Sequence, residues 1–449
     1  MELKKEVRLK ADTTSDVATN DFASLAPLQP LIDKCVHCGF CLPACPSYLL
    51  LGQEMDSPRG RIYMMKAGVE QRPGMTALHN GIVRHFDTCL GCMACETACP
   101  SGVRYAPLIE HTRAAIEHHG TRPLGDRLFR QLLFWLLPYP SRLRLFAMPL
   151  AFANALRARP RIMSLLPLRL RNLIALAPDA KSAGASGTIP ERTPAEGTAR
   201  LRVGLVTGCV QQVFFGHVND ATVRVLAAEG CDVHAPRSQG CCGALALHSG
   251  RDDDARHFAR KLIATFEGDD VDVVVVNAAG CGSSMKSYGD LFRDDPAWAT
   301  RAQAFASKVR DVTEVLAALG TARAPRHRLD TRIAYHDACH LAHAQGVRQQ
   351  PRDLLSAIPG VSLVPIAESD ICCGSAGIFN LVQPEMASEL GRRKAAHIAD
   401  AKPDIVATTN PGCMLQIDAA ARASGDHRPI VHVVEVIDAS IRGTELRQA

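Results

Sequence analysis

The chain has 449 residues, of which 47% are hydrophobic and 22% are charged, and these proportions exclude a disordered or collagen-like protein. The net charge of +5 is small, and aromatic residues at 5% are too few for stacking against single-stranded nucleic acid. No stretch of about 18 apolar residues predicts a membrane span, and residues 1–20 lack the apolar core of a signal peptide. We therefore expect a cytoplasmic protein whose 17 cysteines are metal ligands or redox groups.

The cysteines divide the chain into parts. Eight lie between residues 35 and 99, none lies in the following hundred residues, and nine lie between 209 and 413. The predicted division is an N-terminal module (1–120), a connector with a linker (121–200), and two C-terminal domains (201–328 and 329–449).

Two cysteine runs in the N-terminal module share the spacing C-x2-C-x2-C-x3-C-P. This run is typical of bacterial-type ferredoxins, in which three cysteines of one run and the last cysteine of the other hold each [4Fe–4S] cluster. The predicted ligands are Cys35, Cys38, Cys41 and Cys99 for one cluster, and Cys45, Cys89, Cys92 and Cys95 for the other. Zinc is the alternative, but its ligands commonly come as two more widely spaced pairs.

Helical patterns surround these runs. A helix start is predicted at Pro58, and a second helix is predicted from Pro107 to His119. The module is thus expected to be a mainly helical ferredoxin domain. Arg59 and Arg61 either lie near an anionic cluster and raise its potential, or belong to a solvated helix N-terminus.

The connector is strongly basic. From residue 122 to 171 it has ten Arg and a single acid, Asp126, which gives this segment a charge of +9. Five prolines predict a series of short amphipathic helices, and the Ala-, Gly-, Ser- and Pro-rich segment from 178 to 199 predicts a flexible linker. Arg, Leu and Trp in one segment favour a membrane surface, and docking on acidic partner subunits is the alternative.

An internal repeat occupies the C-terminal half. Four cysteines recur at offsets of 130 to 132 residues, and each adjacent pair is followed by Gly. β-prone runs precede the first and last cysteine of each repeat, with helical patterns between them. This order predicts a parallel sheet flanked by helices, with the cysteines at or beside the loops beyond the carboxyl ends of the strands.

Five runs of residues carry a resemblance to a known family: Cys35–Cys41, Asp56–Tyr63, Cys95–Tyr105, Gly240–Ala244 and Ile371–Gly377. They resemble the corresponding runs of glycolate oxidase iron–sulfur subunits. The resemblance extends from about residue 30 to the end of the chain. Its two Cys-Cys-Gly repeats are shared with a wider group that includes lactate-utilisation enzymes, anaerobic glycerol-3-phosphate dehydrogenase and heterodisulfide reductase.

The resemblance implies an electron-transfer subunit with no catalytic residues of its own. In the family, separate flavin-binding subunits oxidise glycolate to glyoxylate, and the iron–sulfur subunit passes the electrons on towards a membrane quinone. Peripheral association with the inner membrane would follow. The segment Gly280–Met285 lacks the third glycine of a dinucleotide fingerprint, so we expect the flavin to come from a partner.

The repeat cysteines are candidate metal ligands or redox thiols. They are Cys209, Cys241, Cys242 and Cys281 in the first repeat, and Cys339, Cys372, Cys373 and Cys413 in the second. Heterodisulfide reductase relatives have a further cysteine where this chain has Ser284 and Gln416, which argues against their non-cubane cluster. A cubane cluster, zinc, a redox-active thiol pair and a structural role stay open.

Other polar residues near Cys339 have two interpretations. The residues concerned are His336, Asp337, His340 and His343. A histidine among them could tune or ligate a metal or bind a quinone head group, or the four form a polar loop at a strand end, which is the interpretation we favour. Cys231 lies outside every motif and is expected to be a small buried residue.

The predicted fold class is α+β and multidomain, with a helical two-cluster ferredoxin domain followed by two α/β Cys-Cys-Gly domains. The predicted function is electron transfer in a flavin-dependent glycolate dehydrogenase. The alternatives are the same role in a lactate or glycerol-3-phosphate dehydrogenase, and a self-sufficient reductase of disulfides or quinones.

Overall fold

The computed structural model describes residues 20–120, 122–147, 150–157, 159–177 and 189–446. A helical N-terminal module is followed by connector helices and then by two mainly parallel sheets with helices around them. The predicted α+β fold class is therefore confirmed. Half of the predicted linker, residues 178–188, lies outside the described residues.

Short helices and long loops make up the N-terminal module. Its helices are α1 (Gln29–Ile32), α2 (Pro46–Leu51), α3 (Pro58–Val69), α4 (Asn80–Asp87), α5 (Ala94–Thr97) and α6 (Tyr105–His119), with 3-10 turns at Ala23–Leu28 and Glu54–Asp56. The hydroxyl of Ser57 accepts the Gly60 N–H and caps α3, in which Pro58 takes the first position. Apolar side chains of these helices, among them Phe22, Met64 and Leu108, form the core of the module.

The connector forms a series of short helices. They are α7 (Leu124–Leu136), α8 (Pro140–Ala147), α9 (Leu150–Arg157), α10 (Pro160–Leu165) and α11 (Leu168–Ala175). Prolines separate them as predicted, but they stand mainly at helix starts, where the missing N–H costs nothing. Leu133 and Phe134 of α7 pack on Ile378 of the second repeat, so the connector is joined to the C-terminal half.

The sheets of the two repeats share four parallel strands in the same order, and the first sheet has one more strand at its edge. The strands are β1 (Arg192–Thr193), β2 (Leu201–Val206), β3 (Cys231–His234), β4 (Val273–Val276), β5 (Val309–Asp311), β6 (Thr331–Tyr335), β7 (Val361–Val364), β8 (Ile405–Thr408) and β9 (Ile430–His432). The first sheet has the order β1-β3-β2-β4-β5 and the second β7-β6-β8-β9. All pairs are parallel except β1 with β3. The predicted linker thus ends earlier than Ala199, because Arg192 and Thr193 already belong to the first sheet.

Helices cover both sheets. The first repeat has α12 (Val210–Phe214), α13 (Gly216–Ala228), α14 (Ala244–Leu247), α15 (Asp252–Glu267), α16 (Ala279–Lys286), α17 (Tyr288–Leu291), α18 (Ala299–Lys308) and α19 (Val312–Ala318). The second has a π-helix (His340–Ala344), α20 (Gln349–Ser356), α21 (Phe379–Val382), α22 (Pro384–Ala401), α23 (Pro411–Ala423) and α24 (Val433–Arg442). Apolar residues of both repeats, such as Val225 and Ile437, belong to one continuous core. No helix of the described ranges is long and apolar enough to cross a membrane.

Candidate metal centres

The outer cysteine set, which consists of Cys35, Cys38, Cys41 and Cys99, lines a cavity at the surface of the N-terminal module. Cys38 is exposed and the other three are half-buried. The loop that carries the first three has neither helix nor strand, and it turns at His37 and Gly39, where φ is 53° and 88°. These turns let three cysteines of one short loop line the same hollow.

The inner cysteine set, which consists of Cys45, Cys89, Cys92 and Cys95, is buried. Burial raises the pKa of Cys92 and Cys95 well above the usual range. Burial acts in the same direction on Cys89, but the guanidinium groups of Arg61 and Arg113 and the Gly91 N–H lower the pKa of its thiol overall. This set therefore lies in a dry pocket with positive charge beside it.

Arg61 provides that charge from a fully buried position. Its guanidinium donates to the His85 carbonyl (2.6 Å) and to the hydroxyls of Ser47 (3.0 Å) and Thr88 (2.9 Å). It lies 3.8 Å from the Asp56 carboxylate. The interpretation of this residue as part of a solvated helix N-terminus is wrong.

Arg59 differs from Arg61, although it is only two residues away. Its side chain is partly exposed and pairs with the Glu54 carboxylate at 2.6 Å. It also donates to the His37 carbonyl (2.9 Å) in the loop of the outer cysteine set. Each cysteine set of the N-terminal module thus has an arginine beside it, one at the surface and one in the interior.

The grouping of cysteines follows the predicted interleaving of the two runs. Cys99, from the second run, lines the outer cavity with the first run. Cys45, from the first run, acts electrostatically on Cys92 and Cys95 and lies with the inner set. Cys95 also borders the outer cavity, so the two sets adjoin. Ligation of clusters by these residues stays a prediction.

The first repeat set, which consists of Cys209, Cys241, Cys242 and Cys281, lies beyond the carboxyl ends of β2, β3 and β4. The sulfurs of Cys209 and Cys241 are 3.5 Å apart, and the Gly243 N–H donates to Cys241 at 3.3 Å. Hydrogen bonds from Cys241 and Cys281 lower the pKa of Cys242 well below its usual range. Tyr139 of the connector covers this set.

The second repeat set, which consists of Cys339, Cys372, Cys373 and Cys413, has the corresponding place beyond β6, β7 and β8. The sulfurs of Cys339 and Cys372 are 3.9 Å apart. Hydrogen bonds from Cys372 and Cys413 lower the pKa of Cys373 well below its usual range. The predicted placement of both repeat sets at the carboxyl ends of the strands is therefore confirmed.

The inner cysteine set and the second repeat set lie against each other. Cys92 shares a buried cluster with Cys372, and Cys339 packs against that cluster. After burial, the charge of Cys339 is the next cause that raises the pKa of Cys92. Sequence analysis missed this contact because no motif links positions that are nearly 250 residues apart.

The polar residues around Cys339 have separate roles. The Nε2–H of His340 donates to the Gly91 carbonyl (2.8 Å), and His343 bonds Thr97 (3.0 Å), so both reach into the N-terminal module. Asp337 pairs with Arg352 at 2.7 Å. A polar loop accounts for these three residues but not for His336, which is fully buried beside Cys373. Cys231 is buried on β3, as predicted.

The donor chemistry of the N-terminal module fits iron–sulfur clusters. Each set offers four sulfurs, and the ligands of such clusters are cysteine thiolates. The Gly91 N–H, which points at the Cys89 sulfur (3.4 Å), and the buried Arg61 supply the hydrogen bond and the positive charge that stabilise an anionic centre. The buried carboxylate of Asp56 pairs with Arg61 at 3.8 Å.

Two family models match the chain. The model of the "4Fe-4S dicluster domain" matches residues 31–103, and that of the "Cysteine-rich domain" matches residues 203–286 and 333–418. They cover the N-terminal module and both repeats. Iron–sulfur binding by the N-terminal module and a repeated cysteine-rich domain are thereby supported.

Curated relatives cover most of the chain. The "Probable glycolate oxidase iron-sulfur subunit" of Bacillus subtilis is 37% identical over 87% of this chain and 89% of its own length. The glycolate oxidase iron-sulfur subunit of Escherichia coli is 32% identical over 92% of this chain and 94% of its own length. Lactate utilization protein A of Shouchella clausii is 30% identical, but over only 53% of this chain.

A solved structure, that of a hypothetical protein from Helicobacter pylori, has a similar fold. It aligns with a TM-score of 0.54 and 8% identity, over 95% of this chain and 78% of its own. The assignment rests on the sequence relatives and on the two cysteine patterns that they share with this chain. The chain belongs to the family of glycolate oxidase iron–sulfur subunits, which are oxidoreductase subunits that transfer electrons.

Proposed function

We propose that this chain is the electron-transfer subunit of a flavin-dependent glycolate dehydrogenase and passes electrons from flavoprotein subunits towards a quinone-type acceptor. The observation that carries the proposal is the interleaved grouping of eight cysteines into the outer and inner sets. A bound [4Fe–4S] cluster takes up and releases one electron at a time, which suits a flavin that delivers two electrons separately.

The outer cysteine set is the place where a flavoprotein would approach. Val36 and Phe40, in the same loop, are 68% and 66% exposed, and Tyr63 is exposed nearby. Exposed apolar side chains around a functional group are typical of a protein–protein contact. The inner set is enclosed, so its residues exclude water and hold the next centre between the surface and the second repeat.

The connector is proposed as a membrane-facing surface. Among the described residues, thirteen large hydrophobic side chains are exposed, and nine of them lie on the connector. Leu124, Leu128 and Leu132 form one face of α7, and Leu165 is 84% exposed. Five connector arginines are exposed as well: Arg127, Arg144, Arg159, Arg161 and Arg169. Apolar and cationic groups together favour the surface of an anionic bilayer.

Flotation with anionic vesicles tests the connector. The whole chain should float with the vesicles at low salt and be released as salt rises, because the arginine contribution is screened. The variant Leu128→Asp/Leu132→Asp should stay at the bottom of the gradient. Leu51→Asp is the control, since it changes an exposed leucine outside the connector. Equal flotation of all three proteins would refute the membrane assignment.

The repeat sets are proposed to hold further metal. Each has four cysteines at the ends of parallel strands, and in each the second member of the adjacent pair has a strongly lowered pKa. Thiolates are the donors that zinc and iron–sulfur clusters prefer. The second repeat set lies against the inner cysteine set and would be the next centre along the chain.

The whole proposal is tested on anaerobically purified protein. We expect about eight irons and eight acid-labile sulfides in the N-terminal module, since each of two cubane clusters has four of each. Glycolate should reduce these clusters only when the flavoprotein subunits are present, and EPR detects the reduced state. Colourless, iron-free protein, or glycolate oxidation by the chain alone, would contradict the proposal.

Lactate is the second candidate substrate of the complex. Relatives named Lactate utilization protein A match about half of this chain at 28–30% identity. Substrate choice lies in the flavoprotein, so the test is to combine this chain with glycolate- or lactate-oxidising partners and compare cluster reduction. Faster reduction with the lactate partner would favour the second candidate.

A further inference from the structure

The two repeats differ at one position beside their cysteines. His336 stands three residues before Cys339, and the equivalent residue of the first repeat, three before Cys209, is Val206. Both residues are buried at the carboxyl end of a central strand. The fold therefore accepts an aliphatic side chain here, and packing alone does not explain an imidazole.

The polar ring of His336 lies beside a sulfur. The backbone N–H of this residue donates to the Ala407 carbonyl at 2.9 Å, which fixes the residue at the end of the sheet. Among the described residues neither ring nitrogen bonds an oxygen or a nitrogen, and the ring instead interacts with the sulfur of Cys373. An imidazole and a thiolate side by side are donors that zinc binds together, so a metal ligand role is expected for this ring.

Two sulfurs lie close to the ring of His336. A ring nitrogen of His336 and the sulfurs of Cys373 and Cys413 all lie within 4.8 Å of one another. In the part of the chain that the structure describes, no other three metal-ligating side chains come so close together. Donors around one tetrahedral zinc lie roughly 3.5–4 Å apart, given metal–ligand distances of about 2.0–2.3 Å.

We infer that the second repeat holds a mixed thiolate–imidazole metal centre in which His336 is a ligand together with Cys373 and Cys413. The remaining position belongs to Cys339 or Cys372, whose sulfurs are 3.9 Å apart. The metal is a thiophilic one, either zinc or iron of a cluster. The first repeat has Val206 at the position of His336, so the two repeats differ in their donors at this strand end.

This inference rests on the proposed binding of metal by the repeats. The experiment distinguishes the binding of metal by the second repeat from the ligation of that metal by His336. The whole chain is purified anaerobically, and iron and zinc per chain are measured for the unmodified protein and three variants. Cys373→Ala reports whether the second repeat binds metal at all. His336→Val installs the residue of the first repeat. His217→Gln is the control, because His217 is another largely buried histidine without hydrogen-bond partners, and its ring lies 3.6 Å from the Glu435 carboxylate.

We expect Cys373→Ala and His336→Val to lose the same element, with at least a twofold fall in the content of the second repeat, and His217→Gln to keep it. Loss in Cys373→Ala without loss in His336→Val would overturn the inference and leave the metal of the repeat in place. No loss in either variant would overturn both the inference and the metal assignment of the repeat. Neither result affects the N-terminal clusters.

A second measurement needs no substitution. If the element is iron, the reduced chain labelled with ¹⁵N-histidine should show a histidine nitrogen coupling in pulsed EPR. If it is zinc, absorption at the zinc edge should show an imidazole beside the sulfur ligands. Sulfur ligands alone in the appropriate measurement would overturn the inference even if His336→Val failed to fold.

Discussion

The two repeats share a sheet order but differ in their neighbours. The first repeat set is covered by Tyr139 of the connector, whereas the second lies against Cys92 of the inner cysteine set. Val206 in the first repeat corresponds to His336 in the second. The comparison teaches that one duplicated scaffold can place equivalent cysteines in two environments, since among the described residues it is the second set that packs against a cysteine of the inner cysteine set.

The largest expected difference is between equivalent cysteine variants. Cys339→Ala should lower electron transfer from reduced flavoprotein to a quinone analogue at least tenfold, because Cys339 adjoins the inner cysteine set. Cys209→Ala should retain more than half of the rate. Turnover of the reconstituted complex measures both, with N-terminal iron content as the control. Equal losses of the electron-transfer rate in the two variants would show that the two repeats contribute equally to electron transfer.

The variant Arg61→Met tests how much the buried guanidinium beside the inner cysteine set stabilises the N-terminal module. Removing one member of a buried charged pair typically costs about 3–5 kcal/mol, so the variant should unfold at lower temperature and retain less iron. Arg59→Met is the matched control and should cost less than about 1 kcal/mol, because its pair with Glu54 is exposed to solvent. Thermal melts and iron analysis measure the stability and the iron content of both variants. Similar losses in the two variants would contradict the special contribution of the buried arginine.

Equivalent helix caps predict opposite responses to pH. Asp311 begins α19 and His432 begins α24, each with a capping box. Burial raises the pKa of Asp311 to about 6 and lowers that of His432 to about 4. Between about pH 4 and 6, Asp311 binds a proton in the folded chain but not in the unfolded chain, so its contribution to stability falls as pH rises. Over the same range, His432 binds a proton in the unfolded chain but not in the folded chain, so its contribution to stability falls as pH falls.

Two substitutions distinguish the pH dependence of the two caps, and each keeps a side chain that can cap the helix. Asp311→Asn should make the melting temperature rise more steeply with pH from 4 to 6, and His432→Asn should make it rise less. Each change corresponds to about 2–3 kcal/mol across the window, given two pKa units of difference. Melts at half-unit pH steps measure the slopes. A shift in the same direction for both variants would refute the assignment.

The smallest effect is expected where the second repeat contacts the N-terminal module. His340→Val should lose the bond to the Gly91 carbonyl, at a cost of about 1 kcal/mol. Hydrogen exchange at residues 89–95 should become faster. Val210 is the equivalent residue of the first repeat, and Val210→Ala should leave exchange at 89–95 unchanged. Faster exchange in both variants would mean that this contact is not specific to the second repeat.

Sequence predicted the local chemistry better than the long-range contacts. The cysteine spacing predicted the interleaved sets, and the repeat offsets predicted two sheets with cysteines at their carboxyl ends. Spacing works here because a loop such as Cys35–Cys45 is arranged by its own residues. The burial of Arg61 could not be predicted in the same way, because its partners His85 and Thr88 come from a different helix region. The contact of Cys92 with Cys339 likewise depends on how whole modules pack.

The shared core of the two repeats has a consequence for truncated forms of the protein. Helices α13 and α24 pack together, and Arg224 of the first repeat pairs with Asp438 of the second at 2.7 Å. A fragment that ended near residue 328 would expose to water the apolar surface that packs on the second repeat. Proteases and chaperones would therefore act on it early. We therefore expect the duplicated halves to survive in the cell only as an inseparable pair, much as two subunits of an obligate dimer do.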